Sequence, residues 1–330
     1  MSVSIITGGA GFIGPNLIRS LLQGNTSTCI VADNLSNGNW DTLRKFFDSN
    51  ELKNILFCEC NADDYDELNS VFEIALSYGR LSEVWHLAAN SDIPLGIADI
   101  SLDYKDTFMS TYQVLRCMEK FDVENIYFAS SSAIYGNHFG QTLFEDTGPL
   151  LPISNYGAMK LSSEAIISAR SEVFLKRALL FRFPNVIGSP ATHGVIYDFI
   201  KKLMATPDCL PVLGDGTQCK PYLHVNDLVD AMMFLRGNTS LKGICPVNIG
   251  AFGDGVSVSQ IAEIVCSVVN PAARIEYGVG DRGWQGDVPK VAYSTALLQD
   301  MGWKPSLTPL AAVELAVQEV YTQLTESCSA

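Results

Sequence analysis

Histidine and closely paired cysteine are what this sequence lacks. Its four histidines (His86, His138, His193 and His224) share no ligand spacing, and its nine cysteines form no CxxC, with Cys58 and Cys60 the nearest pair. The absence of zinc spacing argues against a metal site. Odd, apolar-flanked cysteines point to reduced thiols in a cytosolic core rather than a disulfide framework. Charge is sparse, at 18% of 330 residues, and no apolar run approaches the roughly 18 residues that a membrane span needs. The opening MSVSIITGG has no basic region ahead of an apolar block, so it reads as the first strand of a mature cytosolic protein. Positive charge is scarcer still: 22 Lys plus Arg face 36 Asp plus Glu, a formal net charge of −14. Such a surface repels nucleic acid and anionic membrane, and neither is expected as a partner. An anionic ligand would need a few local cations to overcome that background.

Apolar residues are plentiful, at 47%, enough for the whole length to fold by burial. In the first half they fall into short runs, VSIIT (3–7), TCIVAD (28–33), NILFCEC (54–60), EVWHLAA (83–89), NIYFASS (125–131) and RALLFRF (177–183). Stretches of helical period such as GPNLIRSLLQ and TYQVLRCMEKF lie between them. Continuous apolar strands alternating with helices predict an α/β fold with a parallel sheet covered on both faces. After about residue 184 the pattern loosens and Gly and Pro rise. That change predicts a first domain over 1–183, to which some later segments return, and a smaller α/β lobe over 184–330.

TGGAGFIG (7–14) follows one expected strand and opens an expected helix, with glycines at Gly8, Gly11 and Gly14. A tight turn, close backbone approach to a pyrophosphate and a helix N-terminus together suit a dinucleotide. Asp33 closes the next strand, where its carboxylate would accept from ribose hydroxyls and repel a 2′-phosphate. No Arg or Lys occurs from Asn34 to Leu43, which favours NAD over NADP. Phe12 and Ile13 sit at the helix start, and Pro15 suits its first turn.

In SNYGAMKLSSEAI (154–166), Tyr156 and Lys160 are four apart and neighbours on one helix face, with Ser154 or Asn155 as the cap. Taken alone, a Tyr-x-x-x-Lys is usually a surface pair. Beside a dinucleotide turn, a lysine ammonium and a positive nicotinamide would bring the phenol towards neutrality and make it a base.

These segments, with HLAAN (86–90), SSSAIYG (130–136), FRFPNVIG (181–188), LGDGTQCKPYLHVNDLVDAM (213–232), VNIG (247–250) and DRGWQGDVP (281–289), resemble the extended short-chain dehydrogenase/reductase family. The likeness covers nearly the whole chain and is closest to NAD-dependent nucleotide-sugar epimerases, particularly the archaeal-type UDP-glucose 4-epimerase branch. It implies a doubly wound Rossmann sheet carrying tightly bound NAD, and a C-terminal lobe for a nucleoside diphosphate sugar. It implies cofactor contacts at Gly8, Gly11, Phe12, Ile13, Gly14, Asp33, Asn34, Asn61, Ala62, Leu87, Ala88, Ala89, Tyr156 and Lys160. Counting four back from Tyr135 assigns the catalytic hydroxyl to Ser131, beside Tyr156 and Lys160. Substrate contacts are implied at Ser131, Ser132, Asn185, Lys220 and Arg282. The implied reaction is 4-epimerisation: Tyr156 takes the C4 hydroxyl proton, hydride passes to NAD⁺, the ketose turns over, and hydride returns to its other face. A homodimer through helices near 102–120 and 155–172 is typical of the family.

The match also departs from the pattern. Asn61 replaces an Asp near the adenine, Asp106 an Asn near the cofactor, and Lys220-Pro221 an Arg-Asp. Ser132-Ala133 stand where dehydratases carry Asp-Glu, which disfavours a 4,6-dehydratase; a uronate decarboxylase would want Glu at 133. A 4-reductase shares the triad, and a non-catalytic NAD(H)-binding regulator shares the fold. His86 and His224 read as packed core imidazoles, His193 as a loop cap or substrate contact, and Trp284 as a stacking or packing residue.

Overall fold

The computed structural model describes residues 2–24, 26–138, 141–280 and 292–328. Its central sheet is built from short apolar runs that have no polar face to show to water. Ser2–Thr7 (β1), Thr28–Asp33 (β2), Ile55–Glu59 (β3), Arg80–His86 (β4), Asn125–Ala129 (β5), Arg177–Arg182 (β6) and Gly243–Asn248 (β7) pair in the order β7-β6-β5-β4-β1-β2-β3. Every pairing in this sheet is parallel. β2 is buried along its whole length and β1 at every position but its first. Strand order reverses between β1 and β4, and ligands of open α/β sheets sit at the carboxyl ends of such a pair.

Helices return the chain across the sheet faces: Gly14–Gln23 (α1), Tyr65–Tyr78 (α2), Ser110–Lys120 (α3) and Asn155–Ser171 (α4). Pro15 lies in the first turn of α1, where its missing N–H costs nothing. Leu68 and Phe72 of α2 and Val114 and Met118 of α3 pack with Val3, Ile30, Val84 and Ile126 of the sheet. Asp103–Met109, just before α3, forms a π-helical turn, a form that is rare and concentrated at functional sites.

The seventh strand was not expected from the sequence. Its GICPVN carries a proline and only two buried residues, so it lacks an apolar run; an edge position tolerates the missing N–H. The EVWHLAA and NIYFASS runs stop being strand at His86 and Ala129, and their last residues leave the sheet as loop.

Chain contacts divide the protein into two units: residues 1–139, 143–183 and 229–248, and residues 140–142, 184–228 and 249–330. The second has its own core, where helices Val195–Ala205, Val258–Val269 and Pro309–Cys328 bring together Ile200, Leu203, Ile261, Val265, Val313 and Val317. Its strands are short pairs, such as Cys209–Val212 with Arg274–Tyr277, which explains the loss of regular pattern. Among the described residues no helix is long and apolar enough to cross a membrane.

Candidate active site

At the reversal point the exits of β1 and β4 are bound together, with Leu87 N donating to the Thr7 carbonyl at 3.0 Å. Gly8 turns away from β1 at φ +68°, and a Cβ there would stand 2.7 Å from Ala88 N and 2.8 Å from its Cα. No side chain fits between these backbones, so the crevice floor is bare peptide. Gly11 follows, Phe12 and Ile13 are half-buried, and the buried Gly14 opens α1. Asp33 is buried and holds this loop: Oδ2 accepts from Ala10 N at 2.9 Å and Oδ1 from Leu35 N at 2.8 Å. Burial pushes the Asp33 carboxyl above its ordinary range against those two bonds. Its remaining lone pairs are what it has to offer a ribose.

Next to it Asn34 Nδ2 donates to Asn61 Oδ1 at 3.2 Å, while Asn61 Nδ2 donates to both Glu67 oxygens. The amide of Asn61 is therefore oriented by protein neighbours at both ends. Ala62, Leu87, Ala88 and Ala89 are half-buried just past β3 and β4. The expected cofactor residues other than Tyr156 and Lys160 thus gather along the carboxyl ends of β4, β1, β2 and β3.

The chemistry-bearing side chains converge one strand away, at the exit of β5. Ser131 Oγ accepts from Ala133 N at 3.1 Å, capping the short turn Ser132–Tyr135, and its hydroxyl bears on the titration of the Tyr156 phenol. Ser132 is held by its N–H, which donates to the Phe183 carbonyl at 3.1 Å. Ser130 turns inward and donates to Glu164 Oε1 at 2.5 Å. Along an extended chain neighbouring side chains alternate, so Ser130 and Ser131 separate to opposite sides.

Ser154 caps α4, accepting from Gly157 N at 3.1 Å, and Asn155 instead donates to the Gly96 carbonyl at 2.9 Å. Lys160 follows Tyr156 by one turn and is 1% exposed. Its Nζ donates to the Ala129 carbonyl at 2.6 Å and lies 4.7 Å from the Phe128 ring centre and 5.8 Å from that of Tyr156. Burial pulls the Lys160 ammonium down to about 7, opposed by the charges of Glu164 and Asp103. Tyr156 goes the other way. Burial pushes its phenol up to about 12, the Ser131 hydroxyl pulls it back, and Asp103 adds to the rise. The expected lowering of this phenol calls on Lys160 together with the positive nicotinamide of NAD⁺; the protein groups without it leave burial dominant.

Beneath this pair runs a network that sequence reasoning missed. Arg182 donates to Glu164 through Nε at 3.0 Å and Nη2 at 2.7 Å, and through Nη1 to Tyr135 Oη at 3.0 Å. Tyr135 Oη then donates to Asn248 Oδ1 at 2.7 Å. Glu164 is one turn past Lys160 on the same helix face, which was the available signal. His86 is the core imidazole that was expected: Thr7 and Thr111 occupy its two nitrogens at 2.7 and 3.0 Å, and burial lowers its pKa to about 3. Asp106 is half-buried on the π-helical turn with its carboxyl raised chiefly by burial; beside it Thr107 is fully buried.

In the second unit Asn185 is exposed, its carbonyl accepting from Leu223 N at 3.2 Å. Lys220 sits on a short strand opposite Val256. His224 is buried against Glu319 Oε2 at 3.1 Å. Arg282 and Trp284 lie outside the described residues.

A UDP-glucose 4-epimerase of Corynebacterium glutamicum is 28% identical over 325 residues, spanning 94% of this chain and 92% of that protein. The crystal structure of a UDP-glucose 4-epimerase from Thermotoga maritima with UDP-glucose superimposes with a TM-score of 0.83 at 26% identity, covering 99% of this chain and all of that one. A Thermus thermophilus UDP-glucose 4-epimerase complexed with NAD gives 0.80 at 26% identity, covering 97% and 99%. The sequence model of one family matches residues 4–250. With the bare-peptide crevice at the β1–β4 reversal and three quarters of its length accounted for, the chain belongs to the NAD dependent epimerase/dehydratase family.

Proposed function

We propose that the protein is a nucleotide-sugar 4-epimerase acting on UDP-hexoses such as UDP-glucose and UDP-galactose. The observation that carries this reading is the meeting of Ser131 and Tyr156 at the exit of β5, where the Ser131 hydroxyl bears on the Tyr156 phenol, with buried Lys160 one turn on and no acid at Ser132-Ala133. The crevice floored by Gly8 and Ala88, with Asp33 at its side, fits a dinucleotide pyrophosphate and ribose. NAD, when bound, supplies the site that takes a hydride from the sugar carbon and returns it. Tyr156, as the phenolate that Lys160 and the positive charge of bound NAD⁺ would favour, would accept the C4 hydroxyl proton as the carbonyl forms and give it back as the carbonyl is reduced. Ser131 donates a hydrogen bond to the same oxygen, and Lys160 binds the ribose and holds positive charge near the phenol. We assign the first unit to NAD, and Asn185, Lys220 and Arg282 to the nucleoside diphosphate sugar.

The reaction class is set by what flanks the serine. Expelling water from the sugar takes an added acid and base, and Ser132-Ala133 supply neither. A reductase would exchange its cofactor with solution, whereas an epimerase retains it. The test is to denature the purified protein, identify the released cofactor, and follow UDP-galactose by NMR. Catalytic conversion to UDP-glucose without added NAD(H) is expected; no interconversion of these sugars or of their N-acetyl forms would overturn the reading.

Substitution of Gly8 by alanine should weaken NAD retention by tenfold or more, as roughly 1–3 kcal/mol of backbone strain adds to the collision with Ala88. Cofactor content per chain after gel filtration measures it. Homodimerisation is part of the proposal, supported by the exposed Tyr104 and Tyr112 within the segment 102–120, and light scattering tests it. The eight cysteines whose side chains are described are all free, which supports a reducing, cytoplasmic setting.

A further inference from the structure

Four buried side-chain atoms among the described residues lack a hydrogen-bond partner, and two of them, Asp103 Oδ2 and Thr107 Oγ1, lie four apart on the π-helical turn. Asp103 is 0% exposed, and its other oxygen accepts from Asn90 Nδ2 at 2.9 Å. A carboxyl half-satisfied in a dry site is costly, so its retention calls for a compensating charge.

The turn is fastened to α4. Thr111 Oγ1 donates to Ser163 Oγ at 3.0 Å, and Ser163 Oγ donates to the Thr107 carbonyl at 3.3 Å. Both segments run from the carboxyl edge of the sheet back across its face. One turn nearer that edge, Asp103 is therefore level with Lys160 and Tyr156, whose titrations both feel its charge.

The groups facing Lys160 can be taken element by element. From β5 come the Ala129 carbonyl and the Phe128 ring, which carry no net charge. From β4 comes His86, which burial keeps neutral. Its own helix adds Tyr156, held as the neutral phenol, and Glu164, whose two oxygens already face the Arg182 guanidinium. Asp103, from the π-helical turn, is the carboxylate with no guanidinium or ammonium bonded to it.

We infer that Asp103 is a second counter-charge, beside Glu164, that keeps buried Lys160 an ammonium, and a positioning residue acting through that lysine. This rests on the reading above, in which Lys160 works as a cation. Burial alone would drive a lysine neutral, and two carboxylates oppose that. One of them is committed to Arg182; the other is Asp103.

The experiment labels lysine side chains with ¹³C at Cε and titrates the purified protein, with whatever cofactor it retains, by NMR. The Lys160 signal is identified by its loss in Lys160→Met. Removing a nearby negative charge makes the ammonium less stable, so its proton leaves at lower pH. Asp103→Asn should lower the Lys160 midpoint by roughly half a pH unit or more. The alkaline limb of the kcat profile should move the same way, and Asp103→Glu should restore both. If Asp103→Asn does not fold, Asp103→Ser gives the same measurement. An unmoved midpoint in a folded variant, or a lower rate with an unmoved alkaline limb, would overturn the inference. Failure of the epimerase reading looks different: no sugar turns over, yet the Lys160 midpoint still shifts.

Discussion

Replacing Tyr156 with phenylalanine should lower kcat by about a thousandfold or more while leaving NAD content unchanged. The substitution deletes one oxygen and keeps the ring that packs beside Lys160, so the crevice at Gly8 and Asp33 is untouched. What disappears is the proton acceptor. No neighbour can take over. The His86 imidazole has both nitrogens occupied by Thr7 and Thr111, and burial holds it neutral. Ser131 has no base beside it once the phenol is gone. The check is a progress curve with UDP-galactose alongside cofactor released on denaturation. A rate within tenfold of the parent would remove Tyr156 from the role of base.

The largest stability loss is expected at Arg182. In Arg182→Met, Glu164 loses both guanidinium bonds while it stays buried, and Tyr135 loses the N–H that steers its hydroxyl. Breaking one side of a buried pair costs about 3–5 kcal/mol, much of it from the charge left behind. Urea unfolding, followed through the fluorescence of the buried Trp85, should show the midpoint falling with an unchanged slope. The double variant Arg182→Met/Glu164→Leu should recover a large part of that loss, since an apolar pair replaces an ionic one at little net cost. If the single variant is as stable as the parent, the network is not a buried ion pair in solution.

What could be read from the sequence was local. The Gly8 turn after β1, Asp33 at the end of β2, and Tyr156 four before Lys160 are set by spacings within a single strand, turn or helix, and the folded chain keeps them. Ser131 followed from a short count along one loop. The rest depends on contacts between distant segments. Glu164 shares a helix face with Lys160, but only the fold reveals that Arg182 of β6 meets it. Asp103 looks like any surface acid in ISLDYKD until the π-helical turn buries it. β7 escaped notice because Pro246 and a largely half-buried face hide the run that marks interior strands. The depth at which Tyr156 is buried is likewise invisible in sequence, whereas its spacing from Lys160 is not.

The widened turn at Asp103–Met109 carries a consequence for how the chain tolerates length change. A π-helical turn holds one residue more than the α-helical turn it stands in for. Deleting a single residue there would let the segment relax into ordinary helix continuous with α3, and relaxation of that kind is comfortable for the backbone. Everything ahead of the deletion would then rotate by roughly 100° about the axis. Asp103 would swing off the side that faces Lys160, and Asn90 would lose its acceptor, although no side chain had been altered. The extra residue works as an angular spacer, and a one-residue deletion at this turn would cost more function than fold.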